Sequence, residues 1–173
     1  DKYIKAIASP KHFVANNVDG DRHFTNSKIA DKILRDYYFP AFKSSIVEGR
    51  AQGLMSAYNS LNGVPCSSND LLLNNILRNE WGFKGHVVSD CGAIYNIHAN
   101  HFFTETPHQG VAIALKSGTD MNCGGQYEKY LKEAFEIGLV NEMDINTSLK
   151  RILRSRFLLG MFDHPSLVPY SKI

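Results

Sequence analysis

Short apolar runs alternate with stretches of helical period along this chain. The first run, Tyr3-Ile4-Lys5-Ala6-Ile7-Ala8, breaks at Pro10 and leads into Lys11-His12-Phe13, followed by a polar loop through Asn16, Asn17, Asp19, Gly20 and Asp21. From Ser27 a helical pattern runs through Ile29, Ile33, Leu34, Tyr37, Phe42 and Ile46, with Pro40 placed to kink or split it and Gly49 to end it. A second run, residues 53–58, enters the turn-rich Asn59-Ser60-Leu61-Asn62-Gly63-Val64-Pro65. Asn69 is the predicted N-cap of a helix carrying Leu72, Leu73, Ile76 and Leu77, which should stop before Gly82. Residues 85–90 place an apolar pair before Ser89 and Asp90, the pattern of a buried parallel strand at its C-terminal end. Thr106-Pro107 opens a helix ended by Gly118, and residues 119–123 form the last short run. Two amphipathic helices follow, one lined by Tyr127, Tyr130, Leu131, Ala134 and Phe135, the other by Ile145, Leu149, Ile152 and Leu153 with Asp144 as its expected cap and Gly160 near its end.

Four strand candidates, each followed by helix, predict an α/β fold built from βα units. A complete (β/α)8 TIM-like barrel takes about 250 residues, so residues 1–161 of this 173-residue chain amount to about half of one. Residues 162–173 hold Pro165 and Pro169 without a helical period and read as a linker leaving the domain.

Composition narrows the function classes. With 43% hydrophobic and 21% charged residues the chain has the makings of an ordinary packed core. Its net charge of +2 comes from 19 basic and 17 acidic residues with no run of one sign, which argues against nucleic acid as a partner. No apolar stretch approaches the roughly 18 residues of a membrane helix, and the first residues lack a signal-peptide pattern, so no membrane partner is expected. Cys66, Cys91 and Cys123 are too few and too widely spaced for a disulfide framework or a paired-cysteine zinc site, and no metal is expected. Taken alone, they leave the redox compartment open.

In a parallel α/β protein, ligand contacts collect at the C-terminal ends of strands. Those ends hold Lys11 and His12, Tyr58, Asp90, and residues 120–123. A cation, an imidazole, a phenol and a carboxylate at one mouth suit a polyhydroxylated substrate, since a strand-end carboxylate can attack an oxocarbenium-like carbon. Each residue taken singly also has a plainer role: solvated surface, helix cap or packing.

The stretches Lys11-His12-Phe13, Met55-Ser56-Ala57-Tyr58-Asn59, Asn62-Gly63-Val64-Pro65, Leu77-Arg78-Asn79-Glu80-Trp81-Gly82-Phe83-Lys84-Gly85 and Val87-Val88-Ser89-Asp90, in this order, resemble family 3 glycoside hydrolases over nearly the whole chain. The resemblance implies the C-terminal half of that family's catalytic barrel, with the tail leading to a second domain. It implies Asp90 as the nucleophile of a retaining exo-acting β-glycosidase, and Lys11, His12, Arg22 and Tyr58 as ligands of the innermost sugar. Met55 matches a residue that packs near that subsite, and Cys91, directly after the nucleophile, lines it. Lys11 beside Asp90 would help keep the carboxylate ionised. The implied substrates are oligosaccharides or aryl glycosides, with no cofactor. Earlier sugar ligands and the general acid/base belong to the other barrel half and the second domain, against which this chain would pack, so the fragment alone should not turn over.

Cys91 and residues 120–123 resemble the β-xylosidase-like branch more than β-glucosidases, while Val14-Ala15-Asn16-Asn17 departs from the N-acetylglucosaminidase pattern. Some xylosidase-like members bridge the positions of Cys91 and Cys123. Both cysteines fall just past neighbouring strands, whose spacing of about 4.7–4.9 Å is compatible with a disulfide; two reduced thiols are the alternative. A bridge would imply a periplasmic or secreted enzyme, and its absence would suit the cytoplasm. Competing readings are a Schiff-base aldolase using Lys11 and a non-catalytic carbohydrate-binding relic.

Overall fold

The computed structural model describes residues 2–172. Among them five short strands are β1 (Asn26–Ser27), β2 (Gly53–Ser56), β3 (Ser60–Leu61), β4 (Val64–Pro65) and β5 (His86–Ser89). Six α-helices are α1 (Asp31–Ile33), α2 (Pro40–Val47), α3 (Ala93–Ala99), α4 (Pro107–Lys116), α5 (Gln126–Glu136) and α6 (Glu142–Leu158), with a wider, π-type helix at Leu71–Glu80. No described helix is long and apolar enough to cross a membrane.

The four expected runs lie side by side in sequence order. β2 and β5 pair in parallel, Gly53 opposite His86 and Ser56 opposite Ser89. On one side residues 8–13 bond to β2: Gly53 N–H donates to the Ala8 carbonyl at 3.1 Å, Met55 N–H to that of Pro10 at 3.1 Å, and Phe13 N–H to that of Met55 at 2.8 Å. On the other side Val88 bridges Met121 in parallel. The outer two runs are less regular than the pattern predicts. Pro10 has no N–H to give a ladder, and pairing with β2 begins at Ala8, whereas Ile4 N–H donates to the Leu158 carbonyl at 2.9 Å.

Side-chain alternation sets the two faces of this sheet. Leu54 and Val87 are fully buried among Phe13, Phe39, Leu72, Leu73, Ile76, Leu77 and Trp81. Their neighbours Met55, Val88 and Met121, which sit in register across three runs, face the other way and are half-buried. In a closed barrel that second face is the interior. The fold is thus part of a TIM-like α/β barrel, as the alternation predicts.

Capping places the helices. Pro40 does split the long pattern: α1 widens into a π-type turn at Leu34–Tyr38, and Pro40 starts α2 at a position where its missing N–H costs nothing. The Asn69 side-chain oxygen accepts from Leu72 N–H at 3.2 Å, and the helix it opens ends at Glu80, before Gly82 at φ +70. Thr106 and Gln109 form a capping box at α4. At α6 the cap is Asn141 rather than Asp144; Asp144 is the third helical residue and returns the bond to the Asn141 N–H at 3.0 Å. Two features lie outside the sequence expectations. One is α3, and the other is the small sheet β1-β3-β4, whose Asn62-Gly63 turn has φ of 50 and 89, as a tight hairpin turn requires.

Helix α6 crosses the N-terminal side of all four runs. Arg151 pairs with Asp120 at 2.9 Å, Ser155 Oγ with His86 Nδ1 at 2.9 Å, Arg154 with the Gln52 side chain, and the Leu158 carbonyl with Ile4 N–H. Just past it, Gly160 at φ +72 lets the tail turn back so that buried Val168 lies near Tyr3.

Candidate active site

Asp90 follows β5 directly and is 8% exposed. Its N–H donates to the Ser56 carbonyl at 3.1 Å, which docks the strand end on β2. One carboxylate oxygen accepts from Cys91 N–H at 2.8 Å; the other lies 3.2 Å from His12 Nε2. His12 is therefore the ionisable side chain paired with Asp90 among the described residues. Lys11 is exposed and makes no ion pair with Asp90 among the described residues.

Cys91 is held in three ways. Its N–H goes to Asp90, its carbonyl accepts from Tyr58 Oη at 2.8 Å, and its sulfur is bonded to Cys123, with the two Cα atoms 4.3 Å apart. Backbone contacts support the bridge: Gly92 N–H donates to the Cys123 carbonyl at 2.8 Å, and Cys123 N–H to Ser89 Oγ at 3.1 Å. Cys66 remains a free, buried thiol whose pKa burial pushes up to about 12, so it is inert as a nucleophile near neutral pH.

Tyr58 leaves β2 toward the same mouth. Burial, joined by the neighbouring Asp90 carboxylate, raises its phenol above the ordinary value, while Arg22 pulls the other way. The phenol therefore stays a donor at neutral pH. The Arg22 guanidinium lies 5.1 Å from the centre of the Tyr58 ring and is paired with exposed Asp19. His23 packs edge-on against the same ring at 4.4 Å, and His101 Nε2 bonds the Tyr58 carbonyl at 2.8 Å. Since a carbonyl only accepts, that nitrogen carries the proton.

The structure thus brings His12, Tyr58, Asp90, Cys91 and Arg22 into one linked cluster. Met55 lies three residues before Tyr58 on the barrel-interior face of β2. Asp120, counted from sequence among the strand ends, turns away: its carboxylate accepts from Arg78 at 2.7 Å, Val87 N–H at 2.8 Å and Arg151 at 2.9 Å. Its role there is to tie helices to strands. A cavity of about 400 Å³ lined by Arg35, Phe39, Lys43, Glu80 and Trp81 shares no residue with the Asp90 cluster. Sequence reasoning missed His23, Asn96 and His101, because the last two belong to α3 and the turn after it. The spacing of Asn96 and Asn100 by one helical turn was the available signal.

Comparison with known proteins places this arrangement in context. The glycosyl hydrolase family 3 N terminal domain model matches residues 2–155. A xylan 1,4-beta-xylosidase of Xylanibacter ruminicola is 40% identical over 177 residues, covering 99% of this chain and 20% of its own. A probable beta-D-xylosidase 7 of Arabidopsis thaliana is 36% identical over 176 residues, covering 99% and 23%. Among solved structures, a GH3 exo-beta-xylosidase in complex with a xylobiose aziridine activity-based probe superposes with a TM-score of 0.95 at 30% identity, covering 100% of this chain and 23% of that one. A beta-glucosidase from Listeria innocua in complex with glucose gives 0.85 at 27% identity, covering 96% and 23%. The chain spans less than a quarter of the length of these relatives.

Proposed function

The chain belongs to glycosyl hydrolase family 3, and from that premise we propose that it is the nucleophile-bearing C-terminal half of the barrel in a retaining, exo-acting β-glycosidase of β-xylosidase type. The observation that carries this reading is the Asp90 carboxylate, held at a strand end between Cys91 N–H and His12 Nε2. Attack by the free lone pair of Asp90 on the anomeric carbon breaks the glycosidic C–O bond, and an acid elsewhere in the full-length polypeptide protonates the leaving oxygen. Water then attacks the same carbon, giving up a proton to that group, and the Asp90 ester bond breaks with net retention. Neither step calls for a cofactor.

In this reading Lys11, His12, Arg22 and Tyr58 surround the terminal sugar of an oligosaccharide or aryl glycoside, and Met55 lies at its edge. The Cys91–Cys123 bridge stands one residue past the nucleophile, where the hydroxymethyl of a hexose would extend, which favours a pentose over the β-glucosidase alternative. A disulfide also suits an oxidising compartment, so the parent enzyme is periplasmic or secreted. The half-buried row Met55, Val88 and Met121 is the surface that the other barrel half covers, and residues 162–173 lead to a second domain that brings the acid/base. The built hydrogen-bond setting lies at the Asp90 carboxylate rather than at Lys11, which favours this reading over the aldolase.

The test is Asp90→Asn in the full-length polypeptide, together with a fluorinated mechanism-based inhibitor on the unsubstituted protein. A single label on the peptide containing Asp90 and a loss of turnover in the variant are expected. A label on another carboxylate, or turnover close to that of the unsubstituted protein, overturns the assignment.

A further inference from the structure

Next to the Asp90 cluster runs a polar chain through Asn96, Asn100 and His23. Asn96, on α3 and 2% exposed, places its side-chain nitrogen 2.8 Å from His23 Nδ1, while its oxygen accepts from the Asn100 amide at 2.7 Å. An amide whose oxygen is taken in this way has its nitrogen left to donate, so His23 Nδ1 is the acceptor and the ring proton sits on Nε2. His23 in turn packs its ring edge-on with that of Tyr58, centroids 4.4 Å apart at an interplanar angle of 62°. Tyr58 Oη holds the Cys91 carbonyl, and Cys91 N–H holds the Asp90 carboxylate.

We propose that His23 is a positioning residue for Asp90: braced by Asn96, it fixes the Tyr58 ring, and through Tyr58 the carbonyl of Cys91, the residue whose N–H holds the Asp90 carboxylate. The chain of contacts is continuous from α3 to the carboxylate, and it reaches Cys91 at its carbonyl while the disulfide holds its sulfur. Cys91 is thereby held at its sulfur by Cys123 and at its carbonyl by Tyr58, and His23 supports the second hold. The angle from which the carboxylate attacks is set by both. This inference rests on the assignment of Asp90 as nucleophile.

The experiment uses the full-length polypeptide, with His23→Ala and His23→Phe compared by steady-state kinetics, inhibitor labelling and thermal unfolding. Phenylalanine keeps a ring beside Tyr58 while removing the nitrogen that Asn96 binds. A misplaced reacting group costs up to about a hundredfold in rate, so kcat should fall about tenfold or more in His23→Ala and less in His23→Phe. KM should stay within about threefold, and Asp90 should still label to completion, only more slowly. Unchanged kcat in both variants, a rise in KM alone, or a fall in the unfolding midpoint large enough to account for the lost activity in both overturns the inference. If Asp90 is not labelled in the unsubstituted protein, the nucleophile assignment fails and this inference with it. Normal labelling with unchanged kcat in His23→Ala removes the inference alone.

Discussion

Arg151 on α6 and Asp120 beside β5 form a 2.9 Å ion pair whose carboxylate is wholly buried, and Arg78 binds the other oxygen of that carboxylate at 2.7 Å. One acid thus joins the last helix, the helix Leu71–Glu80 and the fourth strand run. Burial lowers the Arg78 pKa, with the Asp120 charge opposing that shift. Asp120→Asn would leave the Arg78 guanidinium buried without its counter-charge. Removing one partner of such a pair costs about 3–5 kcal/mol. Urea unfolding should show a loss of that size, and a loss below about 1 kcal/mol would mean that the ion cluster is solvated.

The disulfide closes a 32-residue separation. Loop-closure entropy for that length predicts about 3–4 kcal/mol of stabilisation. The double variant Cys91→Ser with Cys123→Ser should lose stability on that scale, and the ratio of glucoside to xyloside turnover should rise in the full-length polypeptide. Thiol titration of the denatured, unreduced protein should find one free thiol, Cys66. Three would contradict the bridge.

Acid should destabilise this chain through two histidines. Burial lowers the pKa of His86, which sits under α6, and of His101, which holds Tyr58. Unfolding returns each to about 6.5, so below that pH the unfolded chain binds more protons than the folded one. Their contribution is intact above pH 6.5 and is lost as pH falls through the folded values. The urea midpoint should drop between pH 7.5 and pH 5.5, and His86→Gln should flatten the drop. An equal drop in the variant would assign the effect elsewhere.

Sugar binding is testable by single alanine replacements at Lys11, His12 and Arg22 in the full-length polypeptide. Contacts that tighten at the transition state lower kcat/KM by more than they raise KM. The loss should be greatest at His12, which alone of the three pairs with Asp90, and at least tenfold. Equal losses in KM and kcat/KM would describe plain ground-state binding.

The sequence by itself determined the order of the four strand runs, most of the helices between them and the residue at the strand mouth. Alternation of apolar runs with helical stretches is a local property, so the four parallel runs, the split at Pro40, the Asn69 cap and the position of Asp90 could all be read from spacing and side-chain chemistry. The family resemblance added the roles. Cap geometry at α6 was legible to within one turn, since Asn141 and Asp144 share a reciprocal box and either can be taken for the cap. Tertiary structure decided what depends on residues far apart in the chain. Asp120 and Asp90 both belong to short strand runs, yet Arg78 and Arg151 draw one into a helix-to-strand anchor, while His12 and Cys91 N–H hold the other at the mouth. His23 gained its place only when α3, too short and too mixed to stand out as a periodic pattern, carried Asn96 against it. A side chain's partners are set by which elements pack together, and periodicity along the chain does not carry that information.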